Sequence, residues 1–175
     1  AFAMSLNCKA RGDKVALPCY ECPSCQKIMG SNHPDFKVIE PSGLSIKIEQ
    51  VRQIQRDVAL RSYEGGWKVF IIEDAETMTP EAGNSLLKVL EEPPGDSVLI
   101  LISHNYLEVL QTIRSRCQVM EFRKLSVNLV EKFLIERYSL SPEEALLIAN
   151  LADGAPGKAV RLHGMRGFSH SATRF

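Results

Sequence analysis

Apolar positions change their spacing along this chain, and the changes mark its elements. Residues 1 to 7, "AFAMSLN", open apolar with no cap or turn ahead of them, which reads as the end of a helix. "DFKVIEP" alternates briefly before Pro41, the form of a short strand. The steps among Ile46, Val51, Ile54, Val58 and Leu60 then include three and four residues, which predicts an amphipathic helix broken by "EGG". Val69 to Ile72 form a continuous apolar run ended by Glu73 and Asp74, the signature of a strand buried on both faces. Thr79 and Pro80 suit the start of a helix carrying Leu86, Leu87 and Leu90, which "PPGD" stops. A second buried strand is expected over Val98 to Ile102, then a short helical stretch through "YLEVLQTI". In "RSRCQVMEF" the last residues alternate as a further strand. Strand, helix, strand, helix, strand predicts an α/β parallel sheet. From Ser126 the pattern becomes helical throughout, giving three successive helices, and "RGFSHSATRF" ends the chain as a tail of little periodicity.

Composition narrows the classes without choosing one. With 175 residues and 45% hydrophobic content the chain can bury a core of one domain plus a small appendage. Lys+Arg and Asp+Glu both total 21, so no overall basic excess drives it onto nucleic acid or an anionic membrane. There is no run of eighteen apolar residues, and the N-terminus lacks the basic lead and long apolar stretch of a signal peptide. A cytoplasmic location and a protein partner are the expectations.

Five cysteines are present, and four of them, Cys8, Cys19, Cys22 and Cys25, follow the spacing C-x10-C-x2-C-x2-C. In a reducing compartment such spacing favours metal over disulfides, and four thiolates close a tetrahedral shell around Zn2+ with no open position for a catalytic water. The alternatives are free thiols or a single redox pair. The expected zinc module, about residues 7–30, is structural. Its loss through Cys22→Ser is expected to loosen the loop and leave the sheet nearly unaffected. His33 lies close enough to replace a sulfur but reads better as a turn residue, and Cys117 reads as an ordinary buried thiol.

In order along the chain, the cysteine loop, "VFIIEDAETMT", "NSLLKVLEEPP" and "IRSRCQ" resemble the clamp-loader subunits of bacterial DNA polymerase III. The resemblance covers about residues 1 to 162. It implies a partial AAA+ parallel-sheet domain with an inserted zinc module, residues 1–124. A small three-helix lid domain, 125–165, and the tail, 166–175, would follow. The segment carrying the phosphate loop and the C-terminal collar would lie outside this sequence. Two subunit types carry the zinc module: the gamma/tau ATPase and the delta-prime type, which does not hydrolyse ATP.

Three nucleotide-facing positions separate the two types. The active pattern ends its strand Asp-Glu, whereas here the order is Glu73-Asp74, which displaces each carboxylate by roughly 1.5 Å, enough to matter in catalysis. The plainer reading is that both acids favour the helix start that follows. At the next strand end the chain reads Ser103-His104 where the ATPase has a threonine-type phosphate sensor. Gly157 stands where the ATPase lid has an arginine, and neighbouring Lys158 is a weaker point charge. "GAPGKA" has the wrong spacing and lacks the hydroxyl residue of a phosphate loop. The departures favour the delta-prime type, with no productive ATP binding by this stretch of chain. A gamma/tau-type ATPase is the alternative, and a zinc-containing nucleic-acid-binding module the second.

The resemblance gives Arg116 a role: an arginine finger reaching ATP held by the adjacent gamma/tau subunit. A guanidinium is permanently charged and bridges two phosphate oxygens. The competing reading is a surface arginine that caps a short helix or pairs with Glu121; Arg114 is expected to matter less. The remaining implied partners are the delta subunit and, through the assembly, the sliding clamp and primed DNA. Lys88 is a candidate for phosphate contact on its helix.

Overall fold

The computed structural model describes residues 1–10 and 18–166; residues 11–17 of the cysteine loop and the tail beyond 166 lie outside the described residues. The chain divides into two units, Ala1–Val119 and Met120 onward. In the first, three strands, β1 (Phe36–Ile39), β2 (Lys68–Ile72) and β3 (Ser97–Leu101), form a parallel sheet in the order β1-β2-β3. Val38 lies opposite Ile71, and Phe70 opposite Leu99. Parallel neighbours require crossovers, and helices supply them: α3 (Ile48–Ala59) between β1 and β2, and α4 (Pro80–Glu91) between β2 and β3. The Thr79 side chain accepts a hydrogen bond from the Ala82 N–H, and Pro80 at the first helical position has no N–H to leave unpaired.

The central strand β2 is buried on both faces, as its apolar run predicts. Phe70 and Ile72 join Ile46, Val51, Ile54, Val58, Ala82, Leu86 and Val89 in the main core, under α3 and α4. Gly83 lets α4 come close to the following segment, since a Cβ there would meet Leu110 Cδ1 at 2.2 Å. Leu86 is fully buried in this core. Leu86→Ala is expected to cost about 2–5 kcal/mol, measured as a lower denaturation midpoint with an unchanged slope.

The opposite face of β2 has a different cover. Val69 packs in one cluster with Ala3 and Met4 of α1 (Phe2–Asn7), with Cys8 and Cys25, and with Ile28 of α2 (Pro23–Met29). The cysteine module is therefore the second layer over the sheet rather than an appendage. The two-residue cysteine step suits a tight turn; in the structure Cys22 precedes α2, which starts at Pro23, a favoured first helical residue.

Two strand expectations differ among the described residues. β3 has a strand neighbour on one side and is half-exposed along most of its length. The alternating segment after Cys117 pairs with no strand among the described residues, and Val119, Met120 and Phe122 are 55%, 73% and 90% exposed there.

The second unit holds α6 (Val127–Tyr138), α7 (Pro142–Ala152) and α8 (Pro156–Arg166). Ser126 and Ser141 cap α6 and α7 by accepting from Leu129 and Glu144 N–H groups. Val130, Leu134, Ala145, Ile148, Ala149, Ala152 and Ala159 form its core. Gly154, at φ +75°, makes the turn before α8, and an added Cβ would meet the Leu125 carbonyl oxygen at 2.6 Å. "GAPGKA" is thus a turn and a helix start.

Candidate functional site

Chemistry-bearing residues gather in three places in the first unit: the cysteine cluster, the carboxyl ends of β2 and β3, and the turn after α5 (Gln111–Arg114).

The Sγ atoms of Cys8, Cys19, Cys22 and Cys25 all lie within 4.8 Å of one another. Cys8 sits just beyond α1. Cys22 precedes α2 and Cys25 lies in its first turn, so a two-residue step combined with a helix start aims both sulfurs at one point. Cys8 and Cys25 are buried, and the Cys22 N–H donates to Cys19 Sγ at 3.3 Å. Backbone N–H groups of Cys25 and Lys9 push the Cys22 thiol down to about 6, while burial pushes Cys25 up to about 12. A tetrahedral ion with sulfur bonds of about 2.3 Å holds its ligands about 3.8 Å apart, so the four sulfurs need only a small contraction to fit one. The donor set suits a thiophilic metal, and four close thiolates without a cation repel one another.

His33 does not join the cluster. It is 3% exposed, its Nδ1 accepts from the Asp35 N–H at 3.1 Å, and its Nε2 lies 3.0 Å from Ser24 Oγ. With Nδ1 accepting, the neutral ring carries its proton on Nε2 and donates it to the serine. The pair is a strut, then, and not a base activating a nucleophile. Burial lowers the His33 pKa, which keeps the ring neutral.

A polar clasp fixes this module to the loop ahead of β2. Asp35 accepts from the Ser62 hydroxyl and from the Tyr63 and Glu64 N–H groups. The Asn7 carboxamide accepts from Trp67 N–H at 2.8 Å and donates to the Trp67 carbonyl at 3.0 Å. Glu64 accepts from both Lys9 and Lys27, and the two ammonium groups, Lys27 first, pull its carboxyl down to about 2. A carboxyl depressed in the folded state contributes stability above its ordinary pKa and loses it as pH falls toward the folded value. The parent is therefore expected to lose more stability than Glu64→Gln between about pH 4.5 and pH 2, compared by denaturation across that window.

Glu73 and Asp74 end β2, and Asp74 adopts a left-handed conformation, φ 47° and ψ 49°, leading into a single 3-10 turn. Its carboxylate stands 3.5 Å from His104 Nε2. Ser103 and His104 follow β3, and Glu76 accepts from the His104 N–H at 3.1 Å. The acids, the serine and the histidine thus meet at the carboxyl ends of adjacent parallel strands. Gly157 and Lys158 lie in the second unit, on the first turn of α8, and an added Cβ at Gly157 would meet open space. Lys88 is exposed on α4, and Cys117 is half-buried against the main core, its pKa raised by burial.

Arg116 lies two residues past the end of α5, with its side chain 34% exposed. Its partner is Glu91, the last residue of α4: Nε donates to Glu91 Oε1 at 2.6 Å and Nη2 lies 2.5 Å from the same oxygen. Nη1 donates to the Thr112 carbonyl at 2.9 Å and to Ser115 Oγ at 3.2 Å. The helix-capping contact is therefore present, but the ion-pair partner is not Glu121, which pairs with Arg123. Arg114 differs in kind, stacking its guanidinium 4.9 Å from the centroid of the Tyr106 ring. Glu91 does not stand out in the sequence, although its signal is there: "LEEPP" and "SRC" belong to one pattern, and in the fold an acid of the first holds the arginine of the second.

Solved structures resemble this architecture. A DNA polymerase III gamma subunit-related protein from Thermotoga maritima aligns with TM-score 0.52 at 29% identity, covering 77% of this chain and 46% of that one. The RuvB Holliday junction branch migration motor of the same organism aligns with TM-score 0.58 at 19% identity, over 74% of this chain and 44% of its own. The fold is that of an AAA+ protein. Residues 1–126 match the family model described as DNA polymerase III, delta subunit. The DNA polymerase III subunit delta' of Bacillus subtilis is 39% identical over 159 residues, 91% of this chain and 48% of the relative. The chain belongs to the delta-prime family of DNA polymerase III subunits, and it spans about half the length of the curated relatives it matches.

Proposed function

We propose that the chain is part of a non-hydrolysing subunit of the DNA polymerase III clamp loader, one that supplies Arg116 in trans to ATP held by a neighbouring gamma/tau subunit. The observation that carries this reading is the placement of Arg116: a permanently charged guanidinium on an exposed turn of an AAA+ domain, far from full burial and held by one half-exposed acid. The acids at the end of β2 stand in the order Glu73-Asp74, and Asp74 faces His104. That arrangement is ill suited to holding a metal and a water in register, so this stretch binds no ATP productively. Residues 1–124 act as the AAA+ core, 125–165 as its lid and 166–175 as a tail.

Cys8, Cys19, Cys22 and Cys25 hold a structural Zn2+. When bound, the ion supplies charge neutralisation and a coordinate tie between α1 and α2; the chain's own residues, through Asn7, Glu64 and Val69, transmit that order to the sheet. The partners are the gamma/tau and delta subunits, and through the assembly the sliding clamp and primed DNA. No helix of the described residues is long and apolar enough to cross a membrane, and a cytoplasmic location fits replication.

The test pairs two measurements on the full-length protein. Alone it is expected to turn over no ATP; in the reconstituted loader Arg116→Ala is expected to depress turnover. Robust hydrolysis by the lone subunit would support the gamma/tau reading instead.

A further inference from the structure

We propose that Glu91 is a latch on Arg116: it occupies the edge of the guanidinium that would grip phosphate, and it must let go before the finger can act. The inference rests on the reading of Arg116 as a finger in trans.

The donor count carries it. A guanidinium has five N–H groups. Nε–H donates to one oxygen of Glu91, from which Nη2 lies 2.5 Å in the ion pair, and Nη1 donates to Thr112 and Ser115. Bidentate recognition of two phosphate oxygens takes two parallel N–H groups. The free arginine therefore cannot make that grip without surrendering a contact. The two donors that point the same way on one edge are those held by Glu91.

The location of Glu91 supports a latch over a brace. It is the last residue of α4, where the helix carbonyls disfavour negative charge, so its carboxylate does not serve its own helix. The side chains of the pair are 34% and 49% exposed, and half-exposed ion pairs are worth little in water. A phosphate brought up in a drier subunit interface can displace such a carboxylate. A rigid brace would call for burial, which this pair lacks.

Two experiments on the full-length chain test it. With 15N-labelled arginine, the Arg116 Nε–H is expected to be protected from exchange in the parent and exposed in Glu91→Ala. In the loader reconstituted without clamp or DNA, Glu91→Ala is expected to raise ATP turnover about two- to fivefold, the range such a pair is worth. Glu91→Gln should give a smaller rise, and Glu91→Ala should change nothing in an Arg116→Ala background. Unprotected Nε–H in the parent, or a flat or lowered turnover in Glu91→Ala, overturns the latch. If Arg116→Ala lowers turnover while Glu91→Ala leaves it unchanged, the finger stands and only the latch falls. If Arg116→Ala itself has no effect, both fall.

Discussion

Arg116→Ala, made in the full-length chain and assembled with its partners, is expected to slow hydrolysis at the one neighbouring ATP site by on the order of 10³-fold. On the proposed reading, loss of a positively charged donor removes stabilisation of charge on the transferring phosphoryl group. Arg114 is committed to the Tyr106 ring. The fold should survive the change. Arg116 is on a surface turn, and the substitution removes only a half-exposed ion pair and a helix cap, together worth about 1 kcal/mol. Arg116→Lys separates charge from shape: it keeps the cation but loses the planar fork, and should recover only part of the rate. Single-turnover hydrolysis by the assembly reads that step directly. A rate equal to the parent's, in an assembly of normal composition, would remove the finger.

The second large effect is expected at the cysteines. Cys22→Ser, or stripping metal from the parent with a chelator, should do more than loosen a loop. The sequence alone suggests that the sheet would hardly notice, since the thiols lie in a polar stretch remote in sequence from the strands. The structure reverses that expectation, because Cys8, Cys25, Met4 and Ile28 pack in one cluster with Val69 of the central strand. Exposing Met4, Ile28 and Val69 alone forfeits about 1.5–3 kcal/mol each, which predicts a loss on the order of 5 kcal/mol in global stability. Metal-ligating thiols must lose their protons, so acidification should release the ion as well. Metal content and thermal midpoint should fall together. A variant that lost metal yet unfolded at the parent's midpoint would contradict this packing.

Much of the fold was legible because parallel strands are written as apolar runs. Val69 to Ile72 could be neither a surface strand nor an amphipathic helix, and "TPEAGNSLLKVLEEPP" announces both ends of α4. What the described residues do not bear out depends on neighbours. Val98 to Leu101 are as apolar as the central strand but, among the described residues, have a strand on one side alone. Gln118 to Phe122 alternate like a strand and have no strand partner among the described residues; pairing requires a neighbour, which no local pattern supplies.

The site divides in the same way. Four cysteines on a short spacing identify themselves, and the structure brings their sulfurs together. Glu91 and Arg116 are 25 residues apart, and only the packing of α4 against α5 makes them neighbours. Glu64 and Asp35 are equally silent, because a loop carboxylate with two lysine partners looks like any other acid until the chain folds, and His33 is noticed for its nearness to the cysteines, not for its Ser24 and Asp35 partners. Long-range polar pairs leave almost no trace in one sequence; short-range metal spacing leaves a great deal.

One measurement bears on the central claim most directly: a structure of the complete loader holding an ATP analogue that mimics the transferring phosphoryl group. The account predicts Arg116 released from Glu91, with its Nε–Nη2 edge about 3 Å from the terminal phosphate oxygens of the neighbouring subunit's nucleotide. Arg116 still paired with Glu91 and turned from that phosphate, or the analogue seated productively at Glu73 and Asp74 of this subunit, would contradict it.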